Sequence, residues 1–258
     1  MAGTPATNPW LLCPRPNPNA SLRLFCFPYA GGAAGIFHRW GEYLPPSVEL
    51  YAVQLPGRGS RLLELPFESL PLLVQAVGKE LLPYLDKPSS FFGHSMGATI
   101  GFELARFLSK EHDIKPAHLF VSGRRAPHLI DTEPMTYHLE QSQFLDELRR
   151  LNGTPKDVLD HSELMQLLEP VLRKDFEMIQ TYVYTPGPPL DCSITAFGGL
   201  EDKNVKREDI EAWRQHTTAR FSLQMFSGDH FFLHEAQMSL LESVSRELQR
   251  LTSTLSNR

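Results

Sequence analysis

The sequence predicts an α/β protein, with a mostly parallel central sheet and helices on both of its faces. Three observations carry that expectation. Apolar runs of strand length recur along the chain. Amphipathic stretches separate them, and strands alternating with helices mark a parallel sheet covered on both sides. The 258 residues are of ordinary globular composition, 41% hydrophobic, 21% charged and 10% aromatic, which excludes disorder, collagen and coiled coil. A chain of this length buries roughly 70–75% of its unfolded surface, so its core needs no disulfide or metal.

Residues 1–20 read as an irregular lead-in, because prolines at 5, 9, 14, 16 and 18 disfavour both helix and ladder. The strand candidates follow at 22–27, 48–54, 90–93, 118–122, 193–197 and 221–226, and helical patterns at 70–85, 97–109, 207–216 and 234–252. One interval breaks the alternation. Residues 131–185 hold no strand candidate but two apolar series at helical spacing: Phe144, Leu145, Leu148 and Leu151, then a longer one from Leu164 to Val183. Proline and glycine at 185–189 close it. The interval is expected to be a helical lid inserted into a single domain spanning residues 1–258.

Composition narrows the function classes. Lys and Arg number 25 against 30 Asp and Glu, a net charge of −5, which argues against a nucleic-acid binder. No run approaches the roughly 20 apolar residues of a membrane span, and the N-terminus lacks the basic start and apolar core of a signal peptide. Cys13, Cys26 and Cys192 show no CxxC spacing. A reducing cytoplasm is the expected location, with no membrane partner.

Gly93-His94-Ser95-Met96-Gly97 has the form G-x-S-x-G. Such a pentapeptide arises by chance in about one chain in ten, so its context carries the weight. A strand-like run precedes it and an amphipathic helix follows, the strand, sharp turn and helix of a nucleophile elbow. The turn lifts the Ser95 hydroxyl above the sheet, and the flanking glycines remove β-carbons that would collide there. The helix start supplies free N–H groups and a positive dipole end, making the Met96 amide the expected first oxyanion donor.

A serine nucleophile needs a base, and the base needs an orienter. After an elbow the acid and then the histidine follow in loops beyond later strands. The run 193–197 leads into Gly198-Gly199-Leu200-Glu201-Asp202, and 221–226 into Ser227-Gly228-Asp229-His230. Asp202 is assigned as orienter, with Glu201 and Asp229 as rivals. His230 is the general base, with His94, His216 and His234 as alternatives. His230 and His234 stand four apart but lack the intervening Glu of H-E-x-x-H, so no metal site is assigned. The glycine-rich loop Pro28-Tyr29-Ala30-Gly31-Gly32-Ala33 should give the second oxyanion donor, the amide of Ala30 or, as the near alternative, Tyr29. Its spacing matches neither phosphate-cradling motif.

Several motifs in order then resemble the type II thioesterases, free-standing α/β-hydrolases associated with polyketide, nonribosomal peptide and fatty acid synthases. They are Phe27-Pro28-Tyr29-Ala30-Gly31-Gly32, Val53-Gln54-Leu55-Pro56-Gly57-Arg58, Phe92 to Gly97, Gly198 to Asp202, Glu211-Ala212-Trp213 and Asp229-His230-Phe231-Phe232-Leu233. The resemblance runs from about residue 10 to about residue 250. Many bacterial members carry His at the position of Tyr29 and Gly at that of Asp229. The resemblance implies hydrolysis of acyl thioesters on the phosphopantetheine arm of acyl or peptidyl carrier proteins, with no metal or bound cofactor. It also implies acidic carrier partners and hence a basic docking face, for which Arg58, Arg61, Arg124 and Arg125 are candidates; Arg58 is equally suited to a structural ion pair. The same scaffold also serves carboxylester hydrolases, acyltransferases and non-catalytic binding modules.

Overall fold

The computed structural model describes residues 8–256. Seven strands are present among them: β1 (Leu11–Leu12), β2 (Leu22–Phe27), β3 (Val48–Val53), β4 (Ser89–His94), β5 (His118–Ser122), β6 (Ser193–Gly199) and β7 (Phe221–Phe226). They form one sheet in the order β1-β3-β2-β4-β5-β6-β7. All neighbours from β3 to β7 pair in parallel; β1 alone is antiparallel. The helices are α1 (Leu70–Leu81), α2 (Met96–His112), α3 (Gln141–Leu151), α4 (Lys156–Leu159), α5 (Ser162–Gln180), α6 (Arg207–Glu211), α7 (Phe232–Glu235) and α8 (Gln237–Ser256).

The strands are apolar because both faces are covered. Along β2 the side chains alternate: Phe25 and Phe27 enter one core with Leu73 and Val77 of α1 and Ile100 and Leu104 of α2. Leu24 and Cys26 enter the other, with Leu240, Val244 and Leu248 of α8. Phe91 and Phe92 of β4 divide in the same way. This period of two is what a parallel sheet between two helical layers requires.

The interval 131–185 contains α3, α4 and α5 and no strand. Its apolar residues Phe144, Leu148, Leu159, Met165 and Leu172 pack on one another as a third, smaller core. The helix ends at Gln180, so Val183 at 82% exposure lies beyond it. The last helical stretch begins earlier than its pattern suggests and is interrupted at Ala236.

The lead-in holds one correction. Leu11 and Leu12 pair with Val53 and Ala52 as an edge strand. Trp10 anchors it, buried under the Arg61 guanidinium, 3.8 Å above the ring. The prolines on either side restrict this strand to two residues and leave it on the edge, where a missing N–H costs no ladder bond. Residues 1–7 of the expected lead-in lie outside those described.

Candidate active site

Parallel strands bring their carboxyl ends to one edge of the sheet, and the loops after β2, β4, β6 and β7 meet there. At the centre, β4 ends at His94 and α2 starts at Met96, so Ser95 alone makes the turn. Its φ of 53° and ψ of −116° lie where L-residues seldom go. Two glycines permit it. A β-carbon on Gly93 would overlap the carbonyl of Gly97, and one on Gly97 would overlap the carbonyl of Phe27. The Ser95 N–H is tied to the Ser122 carbonyl at the end of β5, at 2.8 Å.

Three side chains from three loops converge. His230 Nε2 stands 3.0 Å from Ser95 Oγ, and His230 Nδ1 stands 2.7 Å from Asp202 Oδ2. The acid loop and the histidine loop pack backbone to backbone, since a β-carbon on Gly199 would overlap the Asp229 carbonyl. The Asp202 side chain is fully buried. Burial alone would raise its pKa, but hydrogen bonds from His230 and from the N–H groups of Asn204 and Val205 outweigh that and hold it below the usual carboxylate value. An ionised acceptor at Nδ1 fixes the tautomer that turns Nε2 toward the serine.

The rivals are engaged elsewhere. Glu201 accepts from the Gly228 N–H. Asp229 accepts from the Phe231 N–H at 2.7 Å and from Asn152 Nδ2 at 3.0 Å. His94 is wholly buried, its Nδ1 2.9 Å from Ser122 Oγ, and burial holds its pKa well below the ordinary range. His234 lies 3.0 Å from the Tyr29 hydroxyl, and His216 2.7 Å from His128.

Of the expected oxyanion donors, the Met96 N–H belongs to the first turn of α2 and has no intrahelical acceptor. Tyr29 and Ala30 follow β2 after Pro28, and neither amide has an acceptor among the described residues. Both remain open to a ligand.

Three of the four candidate arginines are held by acceptors within the chain. Arg58 is 3% exposed and gripped by Asp175, with Nη1 to Oδ2 at 2.5 Å and Nη2 to Oδ1 at 2.8 Å. Arg61 is buried against Trp10 and paired with Glu64. Arg125 is tied to Asp131 and the Asn204 carbonyl. Arg124 is half-buried, and burial pulls its pKa down to about 10. The structural ion pair is the reading of Arg58 that holds, because a guanidinium between two carbonyls and a carboxylate is better satisfied inside than at the surface.

Asp175 is the site residue that sequence reasoning missed. It continues the apolar stripe Leu168, Leu172, Ile179 of α5, and an acid in that register was the available signal. Besides Arg58 it accepts the Gly31 N–H at 2.7 Å. A groove of about 1270 Å³ runs between α1, α2 and residues 181–191, yet it has none of Ser95, Asp202 or His230 on its walls. Convergent polar groups, not volume, locate the chemistry.

Strand order, elbow and the side chains behind it make this an α/β-hydrolase. The chain belongs to the thioesterase family, whose Thioesterase domain model matches residues 22–249. A Brevibacillus parabrevis protein named linear gramicidin dehydrogenase LgrE is 45% identical over 243 residues, covering 93% of this chain and 92% of that protein. Thioesterase PikA5 of Streptomyces venezuelae is 39% identical over 240 residues, covering 93% and 85%. The type II thioesterase BorB from the borrelidin biosynthetic cluster has a solved structure that matches with a TM-score of 0.85 at 37% identity, covering 93% of this chain and 97% of that one. No glycines of this chain have the G-x-G-x-x-G spacing of a dinucleotide fingerprint. The resemblance to type II thioesterases is borne out. No helix among the described residues is long and apolar enough to cross a membrane.

Proposed function

We propose that this chain hydrolyses acyl thioesters held on the phosphopantetheine arm of acyl or peptidyl carrier proteins, clearing or releasing acyl groups for a polyketide, nonribosomal peptide or fatty acid synthase. The observation that carries this reading is the line from Ser95 through His230 to Asp202 in a thioesterase-family chain. Ser95 Oγ attacks the thioester carbonyl while His230 Nε2 takes its proton. Asp202 keeps the imidazole oriented and stabilises its charged form. The Met96 amide and that of Ala30, or of Tyr29, hold the oxyanion. Collapse of the tetrahedral intermediate expels the pantetheine thiolate, which takes the proton from His230. Water activated by His230 then attacks the acyl-serine, releasing the carboxylic acid and restoring the hydroxyl.

In this reading the sheet and the 131–185 helices work as one domain. The helices form a lid that roofs the acyl chain and gates the pantetheine arm. The three cysteines are free, in keeping with a cytoplasmic enzyme.

Intact-protein mass spectrometry after brief mixing with acyl carrier protein tests the reading. Wild type should gain the mass of one acyl group at Ser95 and then lose it by hydrolysis, while Ser95→Ala gains none. Inert acyl carriers together with rapid turnover of simple oxygen esters would replace this reading with that of a carboxylester hydrolase.

A further inference from the structure

Helix α5 is bonded directly to the loop that follows β2. Asp175, 2% exposed, accepts the Gly31 N–H at 2.7 Å through Oδ2, and both of its oxygens accept from Arg58. Arg58 reaches the same loop from the other side, with Nη1 3.4 Å from the Gly32 carbonyl. Gln54, which accepts the Ala34 N–H at 3.2 Å, donates to the Arg58 carbonyl at 2.9 Å. The loop is thus held at Gly31, Gly32 and Ala34 by one buried chain of side chains. Leu172 completes the contact: Gly31, at φ +76°, has no room for a β-carbon because Leu172 occupies that space.

Gly31 is the residue after Ala30. With φ and ψ of Ala30 the only soft torsions between the Ala30 and Gly31 amides, anchoring the second strongly restricts where the first points. We propose that Asp175 is a positioning residue for the oxyanion hole, so that seating of α5 and assembly of the hole are a single event. The proposal rests on the reading in which a loop amide at Ala30 or Tyr29 binds the oxyanion. Asp175 touches no reacting atom; it acts through the Gly31 amide. With α5 lifted away, the loop loses its acceptor at Gly31 and the second donor is no longer held. An ester or thioester that entered an unseated site would then meet Ser95 without full stabilisation of its transition state.

The test separates the amide contact from the ion pair. In Arg58→Met/Asp175→Asn both charges are gone, but an amide oxygen still accepts from Gly31. In Arg58→Met/Asp175→Leu that acceptor is lost as well. Turnover of an acyl-N-acetylcysteamine thioester by the first variant should exceed that by the second by about 10- to 100-fold in kcat, with KM within twofold. An alkyl boronic acid, which forms a tetrahedral adduct on the serine, should lose affinity in the same proportion. Equal kcat and equal boronate affinity in the two variants would overturn the proposal.

If the leucine variant does not fold, hydrogen exchange in the wild type decides. The Gly31 amide and α5 should then open together, and free exchange of Gly31 while α5 stays protected would refute the link. Failure of the underlying reading is a different result, in which wild type leaves the thioester intact or Ser95→Ala still turns it over.

Discussion

The Cα of Gly97 rests against the carbonyl oxygen of Phe27, leaving no space for even a methyl group between the start of α2 and the end of β2. That approach brings the helix start and the loop after β2 together, so the second glycine of the elbow is a spacing element between them as well as part of the turn. Gly97→Ala should therefore lower the free energy of unfolding by at least about 2 kcal/mol, because the displaced partner is backbone and not a flexible side chain. Urea titration followed by circular dichroism measures it, and an unchanged midpoint would contradict the packing described.

The turn at Ser95 sets stability against activity. A residue at φ 53° and ψ −116° is strained unless it is glycine. Ser95→Ala retains the strain and removes the hydroxyl, whereas Ser95→Gly removes both. Neither should turn over substrate, but the glycine variant should be more stable than the alanine variant by about 1 kcal/mol. Equal melting temperatures for the two would show that the turn stores no strain.

Asp202→Asn keeps the shape of the acid but reverses what Oδ2 can do for His230. An amide oriented to donate there favours the wrong tautomer, and kcat should fall about 10³- to 10⁴-fold with little change in fold. The substitution also has a pH signature. The native pKa of Asp202 is depressed, so its contribution to stability is present above the unfolded value and disappears as pH falls through the folded one. Stability of the variant should accordingly be flatter than wild type below about pH 4.

Buried histidines give a second pH dependence at higher pH. His118 opens β5, with Nε2 2.9 Å from Thr195 Oγ1 of the neighbouring β6, and burial drives its pKa down to about 3. The unfolded chain takes up this proton near pH 6.5 while the native state refuses it, so the stability is complete above that pH and is lost progressively below it. One such group contributes a slope of about 1.4 kcal/mol per pH unit. His118→Gln, which preserves a hydrogen bond to Thr195, should reduce the slope of unfolding free energy between pH 6 and 4 by about that amount. An unaltered slope would mean that His118 is protonated in the native protein.

On the far side of the site, Asn152 at the end of α3 donates to Asp229, the neighbour of His230, and Gly153 lies against the Phe231 ring. Family members with glycine in place of Asp229 cannot make this clasp. Asp229→Gly should therefore leave kcat within a few-fold of wild type while amide exchange in α3 accelerates, since the exposed bond is worth no more than about 1 kcal/mol. A large loss of kcat would instead assign Asp229 a part in the chemistry.

Much of this site was legible in the residues because backbone constraints write themselves as glycines and as order along the chain. Gly93 and Gly97 announced the elbow, and Asp202 and His230 each followed a strand-like run in the expected succession. The boundaries 22–27, 118–122 and 221–226 coincide with β2, β5 and β7 because apolar runs buried on both faces end sharply. What stayed hidden depended on pairing across distance. Leu11 and Leu12 form a strand only because β3 offers an edge, and two residues carry no periodicity of their own. Asp175 stands out in the sequence only as an acid in an apolar register, and its partner Arg58, 117 residues away, is set against it by the fold. Arg58 and Arg61 are of the same kind: the sequence leaves open whether such a cation faces solvent, and the fold supplies the carboxylates and carbonyls that hold these two inside.

The strand order also imposes a schedule on the molecule. The central strand β4 pairs with β2 and β5, which together draw on residues 22–122, so the serine's pedestal is specified in the first half of the chain. The histidine that must meet Ser95 lies 135 positions later, after β6 and β7 have been added at one edge. The residues of the elbow and its β5 partner, Ser122, are thus all made more than a hundred positions before His230. On the proposed mechanism the serine gains its base only when the last strand has docked, so a chain cut short before His230 should be inert.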